Sequence, residues 1–216
     1  MLARQGAAEG LWLRAERQTG GRGRHGRHWR SPTGNLYAST LVRLRPVEPA
    51  PATLALVAAV ALHQVVQAYA GPEAIRIKWP NDLLARGDKL SGILLERIDD
   101  AVVIGFGVNL ASCPDDLPAT SLQRLAGVAP DPDTFLRDLV DSFASWLARW
   151  RGQGLAPIVA AWLDHAHPKG TPLSAAAAGA PAVDGLFDGL EADGALRLRL
   201  ADGSTHVIHA GDVFLI

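Results

Sequence analysis

The stretch GRGRHGRHW, residues 21–29, decides between two architectures. Gly21, Gly23 and Gly26 spell the G-x-G-x-x-G pattern of a dinucleotide-binding loop, which needs a helix opening at the loop and a parallel, doubly wound sheet around it. Here Ser31 and Pro32 follow, and then the strand-like run 35–44, so the helix is missing where that fold requires it. The segment reads instead as an anion grip, too flexible over residues 20–34 for a regular element. Arg22, Arg24 and Arg27 stand on a backbone that glycines let bend close to a ligand. Holding two anions at contact distance costs about 1 kcal/mol in water and several times more in a partly buried site, and clustered guanidinium groups offset that repulsion. Such a loop can also close over its ligands and exclude water from a hydrolysable intermediate. Two blander readings compete: contact with single-stranded nucleic acid, and a plain solvated charge run. A single aromatic, Trp29, and a formal net charge of -1 speak against the first. The second has to be weighed against the rest of the chain.

Outward from the loop, residues 11–13 begin a short strand on its N-terminal side. After Pro46, Pro49 and Pro51 a helix is predicted to run to about Ala70, with Gly71 as its stop. Residues 75–78 form a strand, Pro80, Asn81 and Asp82 a turn, and 89–98 and 101–110 two strands joined by Asp99 and Asp100. Asp131 followed by Pro132 starts a helix whose apolar face holds Leu136, Leu139, Val140, Phe143 and Leu147, and a further helix covers 157–166. From His167 the character changes. Pro168, Gly170 and Pro172 make a linker, and short strands follow, punctuated by the hairpin signals Asp193-Gly194 and Asp202-Gly203. The pattern is that of an α+β domain followed by a small all-β domain, with no strict βαβ order.

Composition excludes whole classes. With 48% hydrophobic and 20% charged residues, the chain is neither disordered nor membrane-bound in type. The longest apolar stretch, 54–69, is interrupted by His63, Gln64 and Gln67 and reads as a core helix. No secretory signal precedes it, and a cytoplasmic location is expected. Cys113 is the single cysteine, which leaves no internal disulfide.

Taken singly, the next unusual strings have ordinary explanations. In KWPNDL, residues 78–83, Asn81 and Asp82 could be plain turn residues. In KLSGILLE, 89–96, Lys89 could be an exposed strand-edge lysine, and in GFGVN, 105–109, Gly105 and Gly107 could mark a strand bulge. Taken in order with the Arg-rich loop, however, G-R-G-R-x-G-R-x-W, K-W-P-N-D-L, K-L-x-G-I-L-x-E and G-x-G-x-N closely resemble the biotin protein ligase family, in spacing as well as in letters. The resemblance covers nearly the whole chain. It implies a biotin/lipoate ligase-like catalytic domain, a mixed sheet with helices, over residues 1–166, and an SH3-like β-barrel over 167–216.

It also implies an activity: biotin and ATP, with Mg²⁺, give biotinyl-AMP, and a lysine of a biotin carboxyl carrier protein then displaces AMP. Arg22, Gly23 and Arg24 would bind biotin and its adenylate, with Gln18 just upstream and Gly92 in the same pocket. Lys89 would stabilise charge during adenylation. Asp82, the third catalytic candidate beside Lys89 and Arg22, would hold Mg²⁺ or position the acceptor lysine. Asn109 would contact the nucleotide, and Trp29 would pack on adenine or close the loop. A lipoate or octanoate ligase or transferase of the same fold is the alternative reading. No nucleic-acid or membrane partner is expected, and edge-strand pairing into a homodimer is possible.

The chain departs from the family in one respect. The Asp-Ser-Thr-Asn type segment that hydrogen-bonds the biotin head is absent, and residues 1–6 resemble the tail of the helix that follows it. Each missing partner to a buried ureido group would cost on the order of 1 to 3 kcal/mol. With no room for a helix-turn-helix domain before Leu11, operator binding is not expected. His165 and His167, like His206 and His209, read as surface histidines, and Cys113 as structural.

Overall fold

The computed structural model describes residues 2–71, 75–177 and 181–216, which build two antiparallel sheets and their helices. The first sheet joins β1 (Trp12–Ala15), β2 (Leu36–Arg43), β3 (Ile75–Lys78), β4 (Asp82–Ala85), β5 (Asp88–Ile98) and β6 (Ala101–Val108) in the order β1-β2-β6-β5-β4-β3. Strand alternation gives it two unlike faces. In β6, Val102, Ile104, Phe106 and Val108 are buried, while Val103, Gly105 and Gly107 turn the other way. The buried face packs on helix α1 (Leu54–Ala70), whose residues are covered on nearly every side. Residues 51–70 are long and apolar enough to cross a membrane, yet 67% of an 18-residue apolar window within them is buried inside the protein, as a core helix requires.

Helix α3 (Pro132–Gln153) covers α1. Asp131 caps it, accepting the Thr134 N–H at 2.8 Å, and Pro132 fills the first turn. Its buried stripe contains the expected Leu139 and Phe143, and also Phe135 and Trp150, two larger side chains outside the expected set that are as fully buried as Leu139. Helices α2 (Leu122–Ala126) and α4 (Ala156–Asp164) complete the layer. Five residues are too few to show a helical period, so α2 is not anticipated.

Several local expectations are corrected. The turn after Pro80 ends at Asn81, and Asp82 opens β4 because it pairs with Gly92. Gly105 and Gly107 mark no bulge, since β6 keeps unbroken register with β2 and β5. The irregularity lies between β4 and β5: Leu83 pairs with Ser91 but Leu84 with Lys89, leaving Leu90 as the extra residue. His165 and His167 are not surface features. The His165 ring stacks on buried His63 of α1 at 4.0 Å, and His167 is half-buried. Of the 1–6 stretch, Leu2–Gln5 forms a 3-10 turn and Met1 lies outside the described residues.

The second sheet holds β7 (Pro172–Ala177), β8 (Val183–Leu190), β9 (Leu196–Arg199), β10 (Thr205–Ile208) and β11 (Gly211–Leu215), ordered β10-β9-β8-β7-β11. Both Asp-Gly signals sit in its hairpin turns. The two sheets meet through apolar contact, with Trp162 of α4 against Phe187 of β8 at 6.3 Å between ring centroids. Trp79, just after β3, donates its indole N–H to the Gly194 carbonyl at 3.2 Å.

Candidate active site

The open face of the first sheet carries a floor made by cross-strand glycines. Register places Asp82 of β4 beside Gly92 of β5, and Gly92 beside Gly107 of β6. The Trp29 ring lies on this floor. A Cβ on Gly107 would stand 2.7–2.9 Å from three atoms of that indole, and one on Gly92 would meet Trp29 and the Lys89 ammonium at 3.3 Å. A side chain at Gly107 would displace the tryptophan, and one at Gly92 would press on both Trp29 and Lys89, so glycine here is a matter of clearance. This packing sets the Trp29 ring between the loop and the sheet.

The Arg-rich segment is more regular than its composition predicts. Gly23 N–H donates to the Arg27 carbonyl at 2.7 Å and Trp29 N–H to Gly21 at 2.9 Å, with Arg22 and His28 bridged between them. A 3-10 turn at Arg24–Gly26 forms the tip of this narrow hairpin. Its base rests on Gln18, whose Oε1 accepts from the Ser31 hydroxyl at 2.8 Å. Gly21 is packed so tightly that a Cβ would stand 2.5 Å from the Trp29 carbonyl. Arg22 is exposed and has no side-chain partner among the described residues, whereas Arg24 lies 3.3 Å from Asp212.

Lys89 reaches the same face because of the bulge. Lys89 and Gly92 are three apart, so in a regular strand they would point to opposite sides, and the extra Leu90 restores them to one. The Lys89 Nζ lies 2.7 Å from Asp82 Oδ1 and 5.6 Å from the Trp29 ring centroid. The other Asp82 oxygen, Oδ2, faces Lys78 Nζ at 3.4 Å. Lys78 is a member of the site that the sequence reading quotes without assigning a role. Its place follows from β3 pairing with β4, where Lys78 stands opposite Asp82. Asn81, equally unassigned, ties the intervening turn to β5 by donating to the Ile93 carbonyl.

Asn109 is buried, and its side-chain amide donates to the Thr120 carbonyl at 3.0 Å and toward that of Lys89 at 3.5 Å. It braces the backbone that carries Lys89. Cys113 stands apart with its Sγ 3.4 Å from the Ala119 carbonyl, and burial pushes its thiol pKa up, the opposite of what a nucleophile needs. No cluster of three His, Cys, Asp or Glu side chains able to hold a metal occurs among the described residues. With a lysine ammonium at each of its oxygens, Asp82 does not form a Mg²⁺ site by itself.

Comparison with known proteins bears on the family and the fold. The profile of the Biotin/lipoate A/B protein ligase family matches residues 4–109, and that of the Biotin protein ligase C terminal domain matches 176–216. A biotin–[acetyl-CoA-carboxylase] ligase of Paracoccus denitrificans is 40% identical over 97% of this chain and 92% of its own length. The bifunctional ligase/repressor BirA of Bacillus subtilis is 34% identical over 97% of this chain and 67% of its own length. A biotin protein ligase from Aquifex aeolicus, solved in complex with biotin and ATP, superposes with a TM-score of 0.88 at 24% identity, covering 97% of this chain and 91% of that one, which shows a shared fold. Both halves of the chain match in their proper order, and with a relative this similar along nearly its whole length, the chain belongs to the biotin protein ligase family.

Proposed function

We infer that the chain is an ATP-dependent biotin protein ligase that acts on a lysine of a biotin carboxyl carrier protein in the cytoplasm. The observation that carries this reading is the Lys89–Asp82 pair, set at the edge of the Gly92/Gly107 floor under Trp29 and the Arg-rich loop. In the first step a biotin carboxylate oxygen attacks the α-phosphorus of ATP and the bond to pyrophosphate breaks. Lys89 and Arg22, with Arg24 behind them, supply the positive charge that lets two anions meet and that stabilises the transition state. The loop and Trp29 exclude water from the acyl-adenylate. Gln18 and Gly23 shape the biotin side of this pocket, and Gly92 keeps its floor open beside Lys89.

In the second step the ε-amine of the acceptor lysine attacks the acyl carbon, AMP leaves with the C–O electron pair, and the amine loses a proton. Asp82 suits the acceptor better than a metal. It already binds two ammonium groups, and it becomes available to an incoming one when Lys89 turns to the ligand. Mg²⁺, which screens phosphate charge, is therefore assigned to the nucleotide and not to a carboxylate cage. Asn109 supports the nucleotide end by bracing the Lys89 backbone.

The test is direct. The purified chain is incubated with biotin, Mg-ATP and a biotin carrier domain, and the carrier is read by intact mass. A biotinyl increment on one lysine is expected. An unmodified biotin carrier together with a modified lipoyl domain would overturn the reading.

A further inference from the structure

Strand β11 touches the site twice. The Asp212 carboxylate faces the loop tip: Arg24 Nη1 stands 3.3 Å from Oδ1, Arg27 donates to Oδ2, and the His25 ring nitrogen lies 3.6 Å from Oδ1. One residue on, the Val213 carbonyl accepts from Lys78 Nζ at 3.0 Å, and that same ammonium faces Asp82. The contacts close a circuit from Asp212 through the loop to Trp29, on to Lys89, Asp82 and Lys78, and back to Val213. The Arg24 and Asp212 side chains are each 24% exposed, which places the pair partly out of water, where a charge-assisted bond counts for more than on open surface. The loop tip is thus held by a carboxylate some 190 residues away, from the opposite sheet (185 residues for Arg27).

We propose that Asp212 is a positioning residue of the adenylate-forming site. It ties the tip of the Arg-rich hairpin to the C-terminal β domain, keeps the hairpin closed over Lys89, and leaves Arg22 to meet the ligand. Asp212 touches no reacting atom. Its catalytic consequence rests on the ligase reading above, whereas the contact itself does not.

The experiment follows the loop directly in the full chain. Trypsin cuts after arginine, so the rate of cleavage at Arg22, Arg24 and Arg27, read by mass spectrometry, reports how often the hairpin opens. Asp212→Asn, which keeps shape and removes charge, should be cut roughly five- to tenfold faster than wild type, and Asp212→Glu should recover most of the protection. High salt should drive the wild-type rate toward that of the Asn variant. In ATP–pyrophosphate exchange, Asp212→Asn should raise the KM for ATP by about tenfold with kcat within about twofold, the split expected of a residue that organises binding. Unchanged loop cleavage in a variant with a native melting curve would overturn the proposal, as would a loosened loop with unaltered KM. If Asp212→Asn does not fold, the wild-type salt series decides: salt-independent cleavage counts against the tether. A wild-type chain inactive on biotin would discredit the ligase reading, while the cleavage rates would still judge the contact.

Discussion

At position 89 one cation has two partners in succession. Lys89 is paired with Asp82 at 2.7 Å, and to stabilise adenylation it must trade that oxygen for the ligand's anions. Lys89→Ala leaves Asp82 with Lys78, so the fold should survive while biotin-dependent ATP–pyrophosphate exchange drops about 10²- to 10³-fold. Arg22 has no side-chain partner among the described residues, and Arg22→Ala should leave the melting temperature unchanged while raising the KM for biotin about tenfold or more. Wild-type kinetics in both variants would show the site assignment to be wrong. These residues are legible in the sequence because they lie inside short strings of unusual composition. Lys78 is quoted in such a string but gains its role only from strand pairing, and Asp212 lies in an ordinary strand whose meaning depends on a contact no local pattern announces.

At the scale of elements, α1 carries a titratable weakness. His63 is 3% exposed, its Nε2 lies 3.1 Å from the Ile75 carbonyl, and its ring stacks on His165. Burial first, and then the neighbouring His165, lower its pKa from 6.5 to about 4. A histidine that resists its proton in the folded state stabilises the fold fully above the unfolded pKa and loses that stability as pH falls. The melting temperature should therefore decline between about pH 6.5 and 4, by an amount on the order of 3 kcal/mol in stability at the low end. His63→Gln, which keeps a donor for Ile75, should flatten that decline, and equal slopes in the two proteins would clear His63 of responsibility. Helices α1 and α3 and most strands are readable from periodicity and caps. The bulge at Leu90 is not, because Leu90 and Ser91 are both buried and mask the change of parity. Deleting Leu90 would leave Lys89 two residues from Gly92, so plain alternation keeps the ammonium on the open face; biotin-dependent pyrophosphate exchange should persist while the loss of a fully buried leucine lowers the melting temperature, and lost exchange in a folded variant would show that the bulge itself sets the Lys89 position.

Across the whole molecule, the two sheets share a core. Trp79 and Trp162 of the larger part are 5% and 1% exposed, and they pack with Leu173, Phe187, Leu196 and Val213 of the smaller sheet in one apolar cluster. Cutting the chain after residue 166 would uncover both tryptophans, each worth about 2 to 3 kcal/mol of burial. The shortened protein should melt at least about 10 °C lower or fail to remain in solution, and an unchanged melting temperature would show the sheets to be energetically independent. A shift in composition at His167 makes the smaller sheet visible in the sequence, but the seam is invisible there because no local pattern announces contacts such as that between Trp79 and Gly194, which lie more than a hundred positions apart. That seam bears on recombination. A chimera joining the larger part of one relative to the smaller part of another must rebuild the apolar seam around Trp79 and Trp162, so such hybrids are expected to melt below both parents.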